Sequence, residues 1–440
     1  MEREAASPVE QGEIRLPGGV LDVHFKLQGS DGVSLQGQEL DSYLISRGYD
    51  VHQCASDVTA GLRIPDLSYQ SEDNAGLRAR IFTNRPIHGE EERLLTTIGD
   101  RSAVIRASVE AYINRNAIRI VHVRNIMSLP LNLAATKAFY DLARERPDLW
   151  FVFHHHDLMW EGPAAKKYIT PYQNINNLMD RIITPGLPNV THVVINPLSQ
   201  LLLRQKRGII AAVIPDGFAF DRKPPVLTNG RWDEEDRAFR MRFGIGEGDL
   251  VVGMMTRITS RKNVEAAIQY VRALEDKLKS SDSVSLLGRQ QRRFGPTNRV
   301  VLLIVQKEDL NDSRAYFDRL VHYASALDVE LKMVGESIVP DRAANGDGRI
   351  PFYDVYPHVD MIVFPSQHEG FGNQAVEAVW ARQPLVLFEY PVFGGYIKPY
   401  LPHFVSLGDK TTLSYDSDLE LNVVDVNVIE QATQEAIELL

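Results

Sequence analysis

Short runs of apolar residues alternate with amphipathic segments along most of the chain of 440 residues. The apolar runs have the length of buried strands, about four to eight residues, and the longer segments repeat apolar residues at helical spacing. A turn that contains Gly29 and Gly32 separates the first strand from the first helix, which makes a βαβ unit. The first half therefore predicts strands over 20–27, 50–54, 118–123, 150–153, 190–195 and 209–214, and helices over 35–48, 131–145 and 199–206.

The same alternation begins again after a segment of different composition. Residues 215–236 contain Pro224, Pro225 and Gly230 and end in an acidic run, which is typical of a linker. The two halves predict an α/β protein with two doubly wound, Rossmann-like domains that face a cleft, where ligands bind. The second half predicts strands over 250–255, 300–305, 330–334, 361–364 and 384–388, and helices over 264–278, 313–327, 374–381 and 428–440.

This pattern divides the chain into four segments. The polar residues 1–19 are expected to be a flexible lead-in. Residues 20–220 are predicted to form an N-terminal domain and residues 221–425 a C-terminal domain, and residues 426–440 follow as a C-terminal helix.

Composition excludes several classes of protein. An apolar fraction of 44% and a charged fraction of 24% are those of a globular chain, and a net charge of −10 argues against nonspecific binding to nucleic acid. A single cysteine, Cys54, excludes a disulfide framework and a cysteine-rich zinc site. No apolar run is long enough for a transmembrane helix, and the polar start lacks the features of a signal peptide. We therefore expect a cytoplasmic protein without an integral membrane segment.

The chemical signal is strongest where the predicted strand 361–364 ends. Gly370 and Gly372 allow the backbone to approach a ligand, and the first amides of the following helix attract phosphate. Glu369 is placed to accept hydrogen bonds from sugar hydroxyls, and Glu377 to hold a second pair, such as a ribose diol. Spacing alone leaves equally open that Glu369 caps the helix and that Glu377 lies on its solvated face.

This segment, PSQHEGFGNQAVEAVWARQPLVL, resembles the glutamate-x7-glutamate signature of retaining GT-B glycosyltransferases, specifically glycosyltransferase family 4. Arg382 stands where that family usually has glycine. The resemblance extends over most of residues 20–400 and implies a GT-B fold with a nucleotide-sugar donor domain at the C-terminal side and an acceptor domain at the N-terminal side. The shared residues are Ser366, Glu369, Gly370, Phe371, Gly372, Glu377, Ala378 and Pro384.

Three further strings resemble parts of the same family, in the expected order. Residues 253–263, GMMTRITSRKN, resemble its strand-and-loop segment, which implies that Arg257 and Lys262 clamp the donor diphosphate. The residues alone leave open the alternative that the two are surface cations near a helix start. Residues 213–222, VIPDGFAFDR, resemble its domain junction, and residues 29–51 resemble its first glycine loop. The last match implies that Gly32 and Ser34 face the donor phosphate or the acceptor.

Three consecutive histidines end the predicted strand 150–153. The string FVFHHHDLMW resembles the family's strand that ends in a histidine near the sugar, and the best alignment places His156 there, beside Asp157. A shift in register would instead select His154 or His155. Neighbouring residues on a strand point to opposite faces, so that at most two of the three could share a metal ion, and no third ligand is evident. Metal binding is therefore not expected.

Arg124 and Asn125 follow another strand of the first half and are candidates for contact with a small anionic acceptor. The alternative is a loop pair that satisfies the local backbone.

The resemblance implies a retaining hexosyltransferase that uses UDP-glucose or GDP-mannose and a small polar or glycan acceptor. No pair of acids suggests a covalent intermediate, which favours front-face substitution with Arg257, Lys262, Glu369 and His156 as the catalytic residues. No bound cofactor or required metal is expected, and a homodimer is a further expectation. The His-His-Asp-x-x-Trp segment resembles that of bacterial and archaeal members that glycosylate small polar acceptors, which implies a glycerate-type acceptor. A GT-B phosphorylase, a sugar-nucleotide epimerase and a non-catalytic partner are the alternatives.

Overall fold

A computed structural model describes most of the chain. The predicted lead-in up to residue 17, residues 28–31 of the first glycine turn, and residues 219 and 221–233 of the predicted linker lie outside the described residues. The described residues are 18–27, 32–162, 167–218, 220, 234–280, 294–305, 314–339, 348–401 and 403–440.

The chain forms two compact units by its internal contacts. The first comprises residues 1–28, 40–193 and 203–212, and the second comprises residues 29–39, 194–202 and 213–440. Two short segments of the predicted N-terminal domain, 29–39 and 194–202, therefore cluster with the second unit.

A seven-stranded sheet of order β3-β2-β1-β4-β5-β6-β7 organises the first unit. Its central strands pair in parallel, and the order of its first six strands is that of a doubly wound nucleotide-binding fold. Apolar residues of three central strands, among them Val123 and Phe153, pack in one core on one face of the sheet. The strands are β1 (Gly19–Val23), β2 (Val51–Ala55), β3 (Leu62–Arg63), β4 (Ile118–Arg124), β5 (Trp150–His155), β6 (Val190–Val194) and β7 (Ala212–Val213).

Helices connect these strands. The longest is 26 residues and buries Leu94, Ile98, Ile105 and Val109, which recur at helical spacing. The helices of this part of the chain are α1 (Gly32–Ser46), α2 (Glu72–Ile81), α3 (Glu90–Arg115), α4 (Leu133–Glu145), α5 (Gln173–Ile182) and α6 (Pro197–Arg207).

The second unit contains a six-stranded sheet of order β10-β9-β8-β13-β14-β15. Its strands pair in parallel, and β8 and β9 are buried throughout, so that apolar residues occupy both faces. A parallel pair, β11 with β12, and an antiparallel pair, β16 with β17, lie outside this sheet. The strands are β8 (Leu250–Met254), β9 (Val300–Ile304), β10 (Glu330–Met333), β11 (Ile338–Val339), β12 (Ile350–Pro351), β13 (Met361–Phe364), β14 (Leu385–Leu387), β15 (Val405–Ser406), β16 (Leu413–Asp416) and β17 (Leu421–Val424).

The C-terminal helix belongs to the core of the second unit. Its Ile429, Ala432 and Ala436 share one apolar cluster with Leu274 and Val405. Among the described residues, no helix combines the length and apolarity needed to cross a bilayer. The helices here are α7 (Glu234–Phe243), α8 (Val264–Ser280), α9 (Arg314–Ala326), α10 (Asn373–Ala381) and α11 (Val426–Leu439).

The predicted fold class, two doubly wound α/β domains with parallel sheets, is confirmed. The predicted strand 209–214 is shorter than expected, because only Ala212–Val213 pairs with the sheet. Helices α2, α3, α5 and α7 were not predicted, and they carry many charged or amide side chains between their apolar positions.

Candidate active site

Two loops meet at the carboxyl edge of the second sheet. Strand β13 pairs in parallel with β8, with Met361 opposite Val252, so the loops that follow the two strands leave the sheet side by side. The amide of Gln367 donates to the carbonyl of Arg261 at 2.9 Å, which joins the loops directly. This edge is where doubly wound sheets bind their ligands.

Glu369 lies buried between two cations. The Nζ atom of Lys262 contacts its Oε1, and Arg261 Nη1 donates to its Oε2 at 2.9 Å. The same guanidinium nitrogen donates to the carbonyl of His368 at 2.9 Å, which fixes the start of the glycine loop. Glu369 is therefore an ion-paired carboxylate. The alternative that it caps the helix is wrong, because Gly372 occupies the cap position.

Electrostatics favour an anionic ligand at these loops. Burial would raise the pKa of Glu369, but the charges of Arg261 and Lys262 outweigh it and lower that pKa to about 2. Burial lowers the pKa of Lys262 to about 8, against the attraction of Glu369 and together with the repulsion of Arg261 and Arg257. The Glu369 carboxylate thus pairs with two cations, and Arg257 adds positive charge near Lys262, which would suit an anionic ligand such as a diphosphate.

The glycine loop ends where only glycine fits. Gly372 has φ of +104°, and a Cβ atom there would overlap the hydroxyl of Tyr390. That hydroxyl donates to the carbonyl of Phe371 at 2.7 Å, which holds the loop against the sheet. Gly372 at the cap position has no side chain that could accept from the first amides of α10, which suits these amides to a phosphate or a sugar oxygen.

Glu377 is buried on α10, which contradicts the alternative of a solvated position. The hydroxyl of Tyr356, in the 3₁₀ segment Phe352–His358, donates to its Oε2 at 2.5 Å. Burial raises the pKa of Glu377 to about 7, although the bond to Tyr356 and the charge of Lys262 oppose this shift. Its predicted role toward a ribose diol remains a prediction.

Binding of nucleoside diphosphates is expected to weaken as the pH falls through 7. Burial raises the pKa of Glu377 to about 7, so the carboxylate that is predicted to accept bonds from both ribose hydroxyls is lost below that pH. We expect about a tenfold loss in affinity for GDP or UDP between pH 8 and pH 6, measured by isothermal titration calorimetry.

The ligand itself provides a matched control. A 2′,3′-dideoxynucleoside diphosphate keeps the phosphates, which also titrate near pH 6, but lacks the diol. The loss attributable to Glu377 is the difference between the two ligands, and Glu377→Gln is expected to abolish that difference. Identical pH dependence of both ligands would contradict the assignment.

Gly32, from the segment 29–39, also lies near α10. A Cβ atom on Gly32 would come within 3.3 Å of the Asn373 side-chain nitrogen, and both residues belong to the second unit. Ser34 is fully buried. Asn196, from the segment 194–202 of the same unit, donates to the carbonyl of Gly370 at 2.7 Å. The roles predicted for Gly32 and Ser34 remain predictions.

In the first unit, Asn125 satisfies the local backbone. It has φ of +56°, and its Oδ1 accepts from the amides of His156 at 2.8 Å and Asp157 at 3.2 Å. This is the alternative that the sequence left open. Arg124 is almost fully buried, and its Nε donates to Asp22 Oδ1 at 2.8 Å. Its charge is therefore matched within the fold, and its predicted contact with an anionic acceptor remains a prediction.

The three histidines separate as strand geometry requires. His154 and His156 lie on one face of the sheet and stack, with ring centroids 4.6 Å apart. His155 lies on the other face and shares a hydrogen bond of 2.9 Å with His192. All three are buried, and among the described residues no group of acidic, histidine or cysteine side chains is arranged to hold a metal ion.

An excess carboxylate lies beside Arg124. Asp41 of α1 accepts from Gln53 Nε2 at 2.8 Å and lies 3.9 Å from Arg124 Nη2, which already pairs through Nε with Asp22. Burial and the charge of Asp22 raise the pKa of Asp41 to about 7. Its ionisation above that pH therefore opposes folding.

Asp41→Asn is expected to stabilise the protein at pH 8. The folded pKa lies above the unfolded one, so the free energy of unfolding falls as the pH rises from about 4 to about 7. The amide removes this penalty and still accepts from Gln53. We expect a gain of about 1 kcal/mol, or about 3 °C in Tm, at pH 8 and little change at pH 4.

The measurement is calorimetry of both variants at the two pH values. Asp50→Asn is the control, because Asp50 is exposed beside His52 in the same unit. A Tm at pH 8 that does not rise in Asp41→Asn would contradict the account.

Two residues of the site were not predicted. Arg261 directly precedes Lys262, and Tyr356 precedes the strand that leads to Glu369. Neither has a spacing that identifies it, because each acts on a carboxylate that is distant in the sequence. The only signal for Arg261 in the sequence was that it is itself a cation next to Lys262.

The known proteins to which this chain is similar belong to one class, the glycosyltransferases. No family model matches the chain. It is 29% identical over 422 residues, 95% of this chain and 92% of the relative, to a mannosylglucosylglycerate synthase of Petrotoga mobilis. A protein of the same name from Thermotoga maritima is 28% identical over 423 residues, which are 95% and 90% of the two chains. A solved glycosyltransferase from Rickettsia africae ESF-5 has the same fold, with a TM-score of 0.55, 16% identity and coverage of 96% and 92%.

Proposed function

We propose that this glycosyltransferase of the GT-B fold moves a hexose, with retention of configuration, from a nucleoside diphosphate sugar to a hydroxyl of a small glycerate glycoside. The observation that carries the proposal is the buried Glu369 carboxylate between Lys262 and Arg261, beside the uncapped start of α10. Cations and free amides suit the diphosphate, and a fixed carboxylate suits the hydroxyls of a sugar.

In the proposed reaction, the bond between the anomeric carbon and the diphosphate oxygen breaks, and the acceptor oxygen bonds to that carbon on the same face. The acceptor's proton passes to the departing diphosphate. Arg257, Lys262 and the α10 amides stabilise the charge that grows on the leaving group. Glu369 holds hydroxyls of the transferred sugar, and the role of His156 toward the sugar stays what the resemblance implies.

Metal is not needed in this scheme. Arg257, Arg261 and Lys262 supply the positive charge that a divalent ion would otherwise bring to the diphosphate. We therefore expect transfer to continue in the presence of a chelator.

The names of the two relatives support the identity of the substrates. Each aligns over 95% of this chain. The proposed donor is GDP-mannose and the proposed acceptor is glucosylglycerate, with a mannosylated glucosylglycerate as the product. UDP-glucose and free glycerate are the comparison substrates.

The test combines binding and turnover. Melting curves with GDP and with UDP identify the donor base, and mass spectrometry of reactions with each donor and acceptor identifies the product. A mannosyl product with the α configuration, formed with EDTA present, is the expected result. Absence of both a melting shift and any transfer would reject the proposed activity, and an inverted linkage would reject the front-face step.

A further inference from the structure

An arginine of the first unit lies among the loops at the carboxyl edge of its sheet. Arg78 of α2 donates from Nη1 to the carbonyl of Tyr69 at 2.9 Å and to that of Leu131 at 3.4 Å. Tyr69 follows β3 and Leu131 follows β4, so both carbonyls belong to segments that leave the sheet at the edge where ligands bind. The guanidinium is thus fixed at this edge by two neutral oxygens.

Two further nitrogens of this guanidinium remain for a ligand. Arg78 is half-buried, and its Nε and Nη2 are not among the fully buried polar atoms that lack a partner. Arg80, on the same helix, pairs with Glu90, whereas Arg78 forms no ion pair within the described ranges. The parallel N–H groups on Nε and Nη2 match the two oxygens of a carboxylate.

Aromatic rings hold Arg78 in place without a ligand. Its guanidinium carbon lies 5.6 Å from the centre of the Tyr69 ring, and that ring packs edge-on against Phe25, just after β1, at 5.2 Å. One turn further along α2, Phe82 packs edge-on against Tyr168 at 5.5 Å between ring centres. The cation and the Tyr168 phenol are therefore anchored on the same helical turn.

A phenol and a carboxylate act on the same place. Burial and the charge of Asp157 raise the pKa of Tyr168 to about 12, although the charge of Arg78 opposes this shift. Tyr168 is therefore protonated at neutral pH, and its hydroxyl bonds to no described residue. Asp157 follows β5 and accepts from Asn125 Nδ2 at 3.4 Å, which leaves its other oxygen for a hydroxyl.

We infer that Arg78 and Tyr168 bind the carboxylate of the acceptor, and that Asp157 accepts from a hydroxyl next to that carboxylate. The inference rests on the proposed function, because it concerns the glycerate end of the proposed acceptor. Asp157 would repel the second charge of a phosphate, whereas a hydroxy acid offers one charge to Arg78 and one hydroxyl to Asp157. The ligand class is therefore a hydroxy carboxylate.

Arg124, the cation that the sequence suggested for an anionic acceptor, differs from Arg78 in two respects. It is almost fully buried, and its charge is matched by Asp22. Arg78 keeps both solvent access and an unmatched charge among the described residues. The acceptor carboxylate is therefore expected at Arg78.

Transfer to two acceptors tests the inference. Glucosylglycerol carries a hydroxymethyl group where glucosylglycerate has its carboxylate, and the wild-type enzyme is expected to prefer the acid about 10- to 100-fold in kcat/KM. Arg78→Gln is expected to remove most of this preference by raising the KM for glucosylglycerate. Transfer to glucosylglycerol and the affinity for GDP are expected to stay within about twofold of wild type. Arg78→Lys, which keeps the charge but not the fork, should keep part of the preference.

Arg101→Gln is the matched control. Arg101 also supports α2, by donating to Asn74 Oδ1 at 2.7 Å, but it pairs with Asp73. Its preference for the acid is expected to stay within about twofold of wild type. If Arg78→Gln lowered transfer to both acceptors equally, or left the preference unchanged, the inference would be overturned.

Two further variants keep the inference testable if Arg78→Gln does not fold. Tyr168→Phe is expected to lower the preference for the acid about 3- to 10-fold, and an unchanged preference would contradict the carboxylate site. Glucosyl-lactate lacks the glycerate hydroxyl, and wild type is expected to use it about tenfold less well than glucosylglycerate. Asp157→Asn should reduce this difference, and a difference of wild-type size would remove Asp157 from the site. An enzyme that binds GDP but transfers to none of these acceptors would instead reject the proposed function.

Discussion

Lys262→Met is expected to lower kcat/KM for the donor sugar by about 100- to 1,000-fold. The Lys262 ammonium is buried, contacts Glu369 and lies 5.5 Å from the centre of the Phe364 ring. Methionine fills a similar volume without charge, so Glu369 loses one of its two cationic partners, and in the proposed reaction the leaving diphosphate loses a buried cation. Initial rates of nucleoside diphosphate release, with calorimetric affinities for GDP, measure the loss, and the affinity should fall with the rate.

Lys398→Met is the matched control for this substitution. Lys398 also pairs with a glutamate, Glu389, at 2.7 Å in the same unit, but its side chain is 46% exposed. An exposed pair contributes about 0–1 kcal/mol, and no role in transfer is assigned to it. We expect its kcat/KM to stay within about twofold of wild type. A Lys262→Met enzyme that retained most of its activity would remove Lys262 from the site.

Glu369→Gln is expected to lower kcat/KM about 100-fold while leaving the affinity for GDP at least as strong as in wild type. The amide is a weaker acceptor for sugar hydroxyls, and it leaves the charges of Lys262 and Arg261 without their carboxylate. The diphosphate then meets a more positive surface. The two substitutions therefore separate sugar positioning from diphosphate binding, although the two side chains are in contact.

Glu389→Gln serves as the control, since it removes a carboxylate from the exposed pair with Lys398. The decisive comparison is the affinity for GDP. If Glu369→Gln weakened GDP binding as much as Lys262→Met, Glu369 would be acting through Lys262 alone, and its assignment to the sugar would be wrong.

The strands were predictable because a sheet covered on both faces needs continuous apolar runs. The run 300–305 shows this directly, since every residue of β9 is buried. Helix α3 was missed although its apolar residues recur at helical spacing, because charged and small polar residues separate Leu94, Ile98 and Ile105. The helical period is present there, but the apolar fraction is too low to stand out.

The site was predictable only as far as local sequence defines it. The glycine loop and the start of α10 could be predicted from residues that are neighbours in the sequence. The same holds for Gly372, because the positive φ at that position favours glycine. The pairing of Glu369 with Arg261 joins residues 108 positions apart and depends on which strands are adjacent. The burial of Glu377 similarly depends on Tyr356, from a separate segment.

Arg382 stands where the family that the sequence resembles usually has glycine, and the backbone conformation explains why glycine is usual there. It caps the end of α10 with φ of +55°, in the left-handed region where glycine is favoured. The glycine usual at this position in the family that the sequence resembles is thus explained by conformation. Arginine adopts the same geometry here at a cost of about 1 kcal/mol.

The adjacency of β8 and β13 also has a consequence during synthesis. The ribosome releases Lys262 more than 100 residues before Glu369. At about 5–20 residues per second, several seconds pass between the synthesis of Lys262 and that of Glu369. During this time the ammonium lacks the carboxylate that allows it to be buried. The cationic loop is therefore expected to stay hydrated on the nascent chain, and the loop at β8 to close only after β13 has emerged and docked beside it.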